Sequence, residues 1–298
     1  MSIPESQLET WSKVGSQTQS KNTYSTIRNA LNVTTAPYAG KVDIFLQGSY
    51  GNDTNVFGKE SDVDIVIQSD AAYFRDLSRL TPMQQTMYEA GNSGVPSYPF
   101  QTFKADVIKV LKDKFGTDLD LTHKKALKIK ENGSRRGADV LVCQDFRRYT
   151  AYTGKDSDYL TGVGFLTTDN TLIENYPKYH STVLSAKHQV TKSWLKPTIR
   201  IFKNMRNRLI EDGKVKNGIA PSYYLEGLFW NAPDATFGTN YNTTVYNCLK
   251  WMNEVDESKL MCANAMFSLI GDNSQVKWSS ANFRTFRSQA IGLWNDWK

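Results

Sequence analysis

The sequence predicts an α+β protein with a mixed sheet, flanking helices and a mainly helical C-terminal lobe. Short β-type runs alternate with amphipathic segments through the first part of the 298-residue chain, and helical patterns dominate from about residue 187 onward. A period of two predicts strands and a period of 3.6 predicts helices, and a chain of this length can form two lobes. We therefore expect a core lobe with an N-terminal helix over residues 1–190 and a helical lobe over residues 191–298.

The first predicted elements are a helix and two strands. From about residue 7 to residue 31, apolar residues recur at helical spacing and predict an interrupted amphipathic helix. Two short apolar β-type runs follow, at Val42–Leu46 and at residues 62–67. The stretch between them is rich in Gly, Asn, Asp and Thr, which indicates that the chain turns there.

A second helix and two more strands complete the predicted core lobe. Apolar residues at helical spacing predict a helix over Phe100–Phe115, and the Gly- and Pro-containing residues 91–99 before it predict a surface loop. Apolar residues alternate with lysines over Leu127–Ile129, and residues 138–143 have the apolar content of a buried strand. These runs supply enough strands for a sheet.

The composition is that of a folded globular protein. Hydrophobic residues make up 40% of the chain and charged residues 22%, which excludes a disordered chain. No apolar run approaches the roughly 20 residues that span a bilayer, and the first residues lack the pattern of a signal peptide. We therefore expect a cytoplasmic protein with no membrane partner. The net charge of +6 favours polyanions in general, but the scattered basic residues predict no stable nucleic-acid partner.

The cysteines and histidines give no metal or disulfide signal. The three cysteines, Cys143, Cys248 and Cys262, are widely spaced and form no Cys-x-x-Cys pattern, so we expect free, mostly buried thiols. The three histidines lack the spacing of metal ligands. A structural zinc site is therefore not expected.

Two aspartates interrupt an otherwise apolar strand. Because successive strand residues point to opposite faces, Asp62 and Asp64 share one face. Two close carboxylates repel each other unless a cation lies between them, and magnesium prefers oxygen ligands. Asp139 begins another predicted strand and is the candidate third ligand, so the set could hold two metal ions. An isolated Asp-x-Asp is more often a solvated edge or turn, and the case rests on its setting in an apolar strand after a Gly-Ser pair.

The Gly-Ser pair precedes these aspartates. A residue without a side chain, Gly48, lets backbone N–H groups approach a phosphate, and the hydroxyl of Ser49 adds a donor. A Gly-Ser pair alone is usually only a turn. Next to the acidic strand, it predicts a phosphate site and a reaction that transfers nucleotides.

The motifs resemble those of a known family. Gly48-Ser49, then Asp62-Val63-Asp64, then Asp139 resemble the signature of the DNA polymerase beta-like nucleotidyltransferases. The strings GSYGNDTNV, SDVDIVI, ENYPKYH, KPTIRIFKNMRN and APSYYLEGLFWN resemble the CD-NTases, relatives of cyclic GMP-AMP synthase, and specifically their E clade. The likeness spans about residues 45–232. It implies a polymerase-beta-like core, an oligoadenylate-synthase-like helical lobe and an active site in the cleft between them.

The resemblance implies an activity as well as a fold. It implies an enzyme that joins two nucleoside triphosphates into a cyclic dinucleotide, releases two pyrophosphates and makes a second messenger for CBASS antiphage defence. Two Mg²⁺ ions, or Mn²⁺ in their place, would be held by Asp62, Asp64 and Asp139. The implied partners are UTP, ATP or both, together with a downstream effector, and the enzyme is expected to be a monomer.

The resemblance also implies which residues bind the nucleotides: Gln47, Gly48, Ser49, Asn175, Lys203, Ser222 and Tyr223. In related enzymes the lysine grips the triphosphate, while the serine and tyrosine open the next helix, contact phosphate and stack on the base. Asn175 lies where related cyclases choose a base, and an asparagine resembles the members that prefer uridine. His180 lies near the substrate-facing segment.

Plainer interpretations of the same residues stay open. The predicted helix over residues 196–210 has Pro197 in its first turn and an apolar stripe formed by Ile199, Phe202 and Leu209. Its basic side, with Lys196, Arg200 and Lys203, is the pattern of a solvated face. Tyr223 is otherwise an ordinary core aromatic and Asn175 a turn residue.

Two other functions remain alternatives at this point. One is a template-independent transferase that makes linear oligonucleotides or modifies RNA, and it predicts product that scales with added RNA. The other is a catalytically silent module that senses nucleic acid. A silent relative would be expected to lose one of the carboxylates, and this chain keeps Asp62, Asp64 and Asp139.

Overall fold

The structure is a computed structural model that describes residues 2–15, 17–57, 62–272 and 277–297. Contacts divide the chain into two compact units. The sheet unit comprises segments 17–47 and 60–178, and the helical unit comprises segments 1–16, 48–59 and 179–298. These units interleave along the chain, and the predicted lobes 1–190 and 191–298 stay a prediction. Part of the stretch that joins the Gly-Ser pair to the acidic strand, residues 58–61, lies outside the described residues.

The described residues contain the following helices of at least four residues: α1 (Glu5–Ser12), α2 (Thr18–Leu31), α3 (Gly48–Gly51), α4 (Pro82–Gly91), α5 (Phe100–Phe115), α6 (Pro177–Val190), α7 (Leu195–Glu211), α8 (Ser222–Asn231), α9 (Tyr241–Glu254) and α10 (Ser280–Asn295). The strands are β1 (Val42–Leu46), β2 (Val63–Asp76), β3 (Leu119–Asp120), β4 (Leu127–Ile129), β5 (Ala138–Tyr149), β6 (Tyr159–Leu166) and β7 (Leu172–Asn175).

The strands form one mixed sheet. Its order is β1-β2-β5-β4-β3, and β6 pairs with β5 and then with β7. The pairing of β2 with β5 is parallel, and the other strand pairs are antiparallel. The central strands are therefore β2 and β5, whose apolar residues are almost all buried. The predicted mixed sheet with flanking helices is confirmed.

Several elements have the predicted bounds. Strand β1, strand β4 and helix α5 match their predictions residue for residue. The strands predicted over 62–67 and 138–143 are longer than expected, because their pairing continues beyond a bulge between Ser69 and Tyr73. Polar residues in the second half of each strand hide this continuation from a search for apolar runs.

The interruption of the first predicted helix has a packing cause. The helix is two helices, α1 and α2, and Gly15 lies between them. The N–H of Gly15 donates to the carbonyl oxygen of Asn55 at 3.1 Å. A Cβ atom at this position would lie 2.3 Å from the carbonyl oxygen of Val56, so only glycine allows this approach.

Helix α7 lies in the core of the helical unit. The predicted apolar stripe of Ile199, Phe202 and Leu209 is buried, and Phe202 packs on Phe229 with ring centroids 4.4 Å apart. The plainer interpretation of a solvated basic face does not hold for Arg200 and Lys203, because both are buried. These two basic residues therefore need polar partners inside the protein. No helix in the described part of the chain is both long and apolar enough to cross a membrane.

The three cysteines are free and buried, as predicted. Burial raises the pKa of all three thiols, Cys143, Cys248 and Cys262.

Because thiolate is the reactive form of cysteine, we expect iodoacetamide at pH 7.5 to leave the native protein unlabelled and to label all three cysteines in urea. Mass spectrometry of the intact protein measures this, and rapid native labelling of any cysteine would contradict its buried position.

Candidate active site

Two of the predicted carboxylates lie side by side on neighbouring strands. In the parallel pairing of β2 and β5, Asp64 is directly opposite Asp139. Asp62 comes directly before β2, so strand alternation directs its side chain to the face of Asp64. The three acidic residues are partly exposed, whereas the alternating residues Val63 and Ile65 are buried. All three predicted acidic residues therefore lie where two adjacent strands begin.

A lysine that sequence analysis did not single out contacts this acidic group. Nζ of Lys128 lies 2.6 Å from Oδ2 of Asp62, and Lys128 is opposite Asp139 in the antiparallel pairing of β4 and β5. Burial and the charge of Asp62 raise the pKa of Asp139, and the charge of Lys128 opposes that rise. The alternation of lysine with apolar residues in β4 is the sequence signal that places a cation on this face.

The acidic group has the chemistry of a divalent-metal site. Carboxylate oxygens are preferred magnesium ligands, and burial, together with repulsion from the charge of Asp62, raises the pKa of Asp139. A bound cation would remove this repulsion. Among the residues that the structure describes, no group of three or more His, Cys, Asp or Glu is placed to hold a metal ion. The three carboxylates are donors of the type that a divalent metal prefers. Their side chains would have to change conformation to bind it together.

Gly137 leaves space for the carboxylate of Asp62. A Cβ atom at Gly137 would lie 2.2 Å from Oδ1 of Asp62. The carbonyl oxygen of Gly137 also accepts a hydrogen bond from the N–H of Val63 at 2.9 Å. Any side chain at this position would therefore displace the acidic residue or the start of β2.

The Gly-Ser pair forms the first turn of the short helix α3. Gly48 has a φ of +64°, in the left-handed region that favours glycine. Its carbonyl oxygen accepts from the N–H of Asn52 at 3.1 Å, and that of Ser49 accepts from the N–H of Thr54 at 2.9 Å. The conformation of the pair therefore depends on the residues that follow it.

Lys203 is fully buried and has three hydrogen-bond acceptors around its ammonium group. Nζ donates to the carbonyl oxygen of Thr54 at 3.1 Å, to Oγ1 of Thr54 at 2.7 Å and to Oε1 of Glu226 at 3.1 Å. Burial lowers the pKa of Lys203 to about 8, so the lysine is charged at neutral pH. Direct contact with a triphosphate stays a prediction, and it would require Nζ to exchange one of these bonds.

Glu226 is the buried residue that sequence analysis missed. It is the acidic residue of α8, whose other residues are apolar, aromatic or neutral, and a charge in such a helix needs a buried partner. Burial alone would raise the pKa of Glu226, but the charge of Lys203 and hydrogen bonds from His180 and Thr54 lower it. Glu226 is therefore ionised at neutral pH.

Ser222 and Tyr223 are the first two residues of α8, as predicted. Pro221 precedes them at the N-cap, where its missing N–H costs nothing. The ring of Tyr223 stacks on His180, with centroids 4.8 Å apart and an interplanar angle of 24°. Tyr223 also packs against the core of the helical unit, so base stacking by this ring stays a prediction.

Asn175 and Gln47 belong to the sheet unit. Asn175 ends β7, and its Oδ1 accepts from the N–H of Tyr176 at 2.8 Å. That bond leaves the NH₂ end of the amide to donate elsewhere. The N–H of Gln47 donates to the carbonyl oxygen of Asp64 at 3.0 Å, and its buried Oε1 has no hydrogen-bond partner among the described residues.

Comparisons with known proteins identify the family of this chain. Residues 182–295 match the model of the cGAS/DncV-like nucleotidyltransferase C-terminal helical domain. The cyclic UMP-AMP synthase of Rhodothermus marinus is 37% identical over 298 residues, which cover 100% of this chain and 99% of that protein. The chain belongs to the CD-NTase family.

Other relatives identify the clade of this CD-NTase. The cyclic nucleotide synthase CdnE01 of Staphylococcus haemolyticus is 35% identical, with 100% of both chains covered. The structure of Rhodothermus marinus CdnE c-UMP-AMP synthase with Apcpp and Upnpp superimposes with a TM-score of 0.88 at 36% identity, and the match covers 99% of this chain and 97% of that one. The predicted E clade, fold class and nucleotidyltransferase activity are confirmed, and the CD-NTase is a cyclic dinucleotide synthase.

Proposed function

We propose that this CD-NTase joins UTP with ATP, or with a second UTP, and that Asp62, Asp64 and Asp139 hold two Mg²⁺ ions for both transfers. The observation that carries the proposal is the register that places Asp64 opposite Asp139 with Asp62 beside them. Magnesium supplies charge that lowers the pKa of the attacking hydroxyl and neutralises the departing pyrophosphate. The proposed enzyme is a cytoplasmic monomer whose product activates an effector in antiphage defence.

The chain's own residues bind and orient the nucleotides. We assign the triphosphate of the donor to Gly48, Ser49, Lys203 and Ser222, which offer N–H, hydroxyl and ammonium donors. A ribose hydroxyl of the acceptor loses its proton to solvent water and forms a bond to the α-phosphorus, while the bond from phosphorus to pyrophosphate breaks. The linear intermediate then rebinds with its remaining triphosphate as donor and its free ribose hydroxyl as acceptor for a second transfer. Ring closure therefore releases one more pyrophosphate, two for each product.

Base choice is assigned to Asn175. Because Oδ1 of Asn175 accepts from Tyr176, the amide presents its NH₂ group, which can donate to O4 of uracil. Adenine and cytosine carry an amino group at the corresponding position and would oppose a donor. Guanine offers an acceptor, O6, at this position as uracil does, and the likeness to the cyclic UMP-AMP synthase of Rhodothermus marinus favours uridine as one of the two bases.

The proposal is tested by the product itself. Incubating the protein with all four nucleoside triphosphates and Mg²⁺, one labelled at the α-phosphate in each reaction, is expected to give a phosphatase-resistant product that carries uridine label. Mass spectrometry identifies the second base. Linear, phosphatase-sensitive products would contradict cyclisation, and a product without uridine would contradict the role of Asn175. Product that scales with added RNA would favour a transferase that extends RNA.

Replacing Gly137 by alanine is expected to lower the rate of product formation about 100-fold, because displacement of a reacting group by an ångström has an effect of this size. The added Cβ would occupy the position of Oδ1 of Asp62. Gly94→Ala is the matched control, since a Cβ atom there meets no atom within 4 Å. Rates from labelled product measure the effect, and equal rates for the two variants would show that Asp62 moves without consequence.

A further inference from the structure

The carboxylate of Glu226 is surrounded by four donor side chains from three separate segments: the residues after α3, helix α6 and helix α7. Oε1 accepts from Nζ of Lys203 at 3.1 Å and from Oγ1 of Thr54. Oε2 lies 2.9 Å from Nδ2 of Asn52 and 3.0 Å from Nε2 of His180. All five side chains are buried, none more than 5% exposed. The group is therefore a buried polar cluster in the helical unit.

A cluster of this kind fixes its members in one arrangement. A buried ionised carboxylate is unfavourable by several kcal/mol unless its partners are present with good geometry. Each partner here supplies a hydrogen-bond donor, and Lys203 also supplies a compensating charge. Loss of one donor leaves the buried carboxylate with an unsatisfied acceptor. The arrangement in which all four donors are bonded is therefore strongly favoured.

Two residues of the cluster, Thr54 and Asn52, are hydrogen-bonded to the Gly-Ser pair. Thr54, which bonds Oε1 of Glu226, donates its N–H to the carbonyl oxygen of Ser49. Asn52, which bonds Oε2, donates its N–H to the carbonyl oxygen of Gly48. Each carboxylate oxygen is therefore connected through one residue to one member of the pair.

A third residue of the cluster, His180, contacts the first turn of α8. His180 bonds Oε2 of Glu226 through Nε2 and stacks on the ring of Tyr223. Ser222 precedes Glu226 by four residues on α8, so their side chains lie on one face of the helix. The carboxylate thus connects the residues to which we assign phosphate and base binding.

We propose that Glu226 is a positioning residue for the nucleoside triphosphate, which holds the Gly48-Ser49 turn and, through His180, the Tyr223 ring in the arrangement that binds it. This inference rests on the proposed function, because it takes these residues to be the nucleotide-binding ones. Glu226 itself does not contact the nucleotide. Glu226 keeps the Gly48-Ser49 turn ordered before the triphosphate binds. Binding is stronger because no entropy is then lost in ordering the turn.

Two variants test the proposal. Glu226→Gln keeps the shape but removes the charge, and Thr54→Val removes one hydroxyl from the cluster at nearly constant volume. The readout is the Kd of a non-hydrolysable UTP analogue with Mg²⁺, measured by calorimetry, together with kcat and KM for cyclic product. We expect each variant to weaken binding and raise KM about tenfold or more, as expected when a hydrogen-bonded support is lost, with kcat within about threefold of wild type.

Val245→Ala is the matched control, because Val245 is buried in the same core and does not belong to the cluster. It should lower the melting temperature and leave Kd unchanged. If Glu226→Gln fails to fold, Thr54→Val decides the question. Wild-type Kd in folded variants, or a fall in kcat without a change in KM, would overturn the proposal. Absence of cyclic product from the wild-type protein would instead contradict the proposed function, and the Kd comparison would still test the positioning role.

Discussion

Replacing Asp64 by asparagine, alone or together with Asp62→Asn, is expected to lower product formation by at least about 1,000-fold, because metal-ion stabilisation of the transition state contributes several kcal/mol. Asparagine has the shape of aspartate but lacks its charge, so a divalent ion binds far more weakly. The fold should be retained, since the strand pairing of β2 is made by its backbone. The removal of one negative charge beside Asp139 also relieves repulsion.

The measurement combines labelled product with the melting temperature. Asp70→Asn is the matched control, because Asp70 lies on the same strand and is exposed. It is expected to keep wild-type activity. A wild-type yield from the Asp64 variant would remove this carboxylate from the mechanism, whereas a large fall in melting temperature would show that the residue is structural.

Replacing Lys203 by methionine is expected to lower the free energy of unfolding by about 3–5 kcal/mol, the usual result when one member of a buried ion pair is removed. The carboxylate of Glu226 would then be buried without its compensating charge, although Asn52 and His180 would still donate to it. The double variant with Glu226→Gln should regain at least half of the loss, because glutamine accepts hydrogen bonds without a charge.

Urea unfolding of the four proteins in this cycle gives the coupling energy between the two residues. Equal stability of the Lys203 variant and the wild-type protein would mean that the pair is not ionised. A double variant as unstable as the single one would mean that hydrogen bonding, rather than charge, dominates the cluster.

Local patterns predicted much of the fold and the acidic residues. Helix α5 and strand β1 are continuous apolar patterns, and Asp62 and Asp64 interrupt such a pattern. The glycine-containing strand β6 was missed because Gly162 and Gly164 weaken its β-type signal. Packing requires these glycines: a Cβ at Gly162 would lie 2.7 Å from the carbonyl oxygen of Asn175, and one at Gly164 would lie 2.7 Å from the ring of Phe74.

The buried polar cluster could not be predicted in the same way. Lys203 lies on the polar side of an amphipathic pattern, and such a pattern does not show whether another segment covers that side. Its partners Thr54 and Glu226 are distant in sequence and belong to a loop and to another helix. Only tertiary structure reveals that the charges meet, because the single charge in α8 indicates a buried partner but does not identify Lys203 as that partner.

The parallel pairing of β2 with β5 also has a consequence for the order of folding. Parallel neighbours must be joined by a long connection, and here it contains α4, α5, β3 and β4. Pairings between distant segments form slowly because the intervening chain must first be ordered. During synthesis on the ribosome, Asp62 and Asp64 emerge well before Asp139. An incomplete chain that ends before β5 would therefore carry two of the proposed metal ligands without the third, and the proposed metal site would be complete only after the last central strand is inserted.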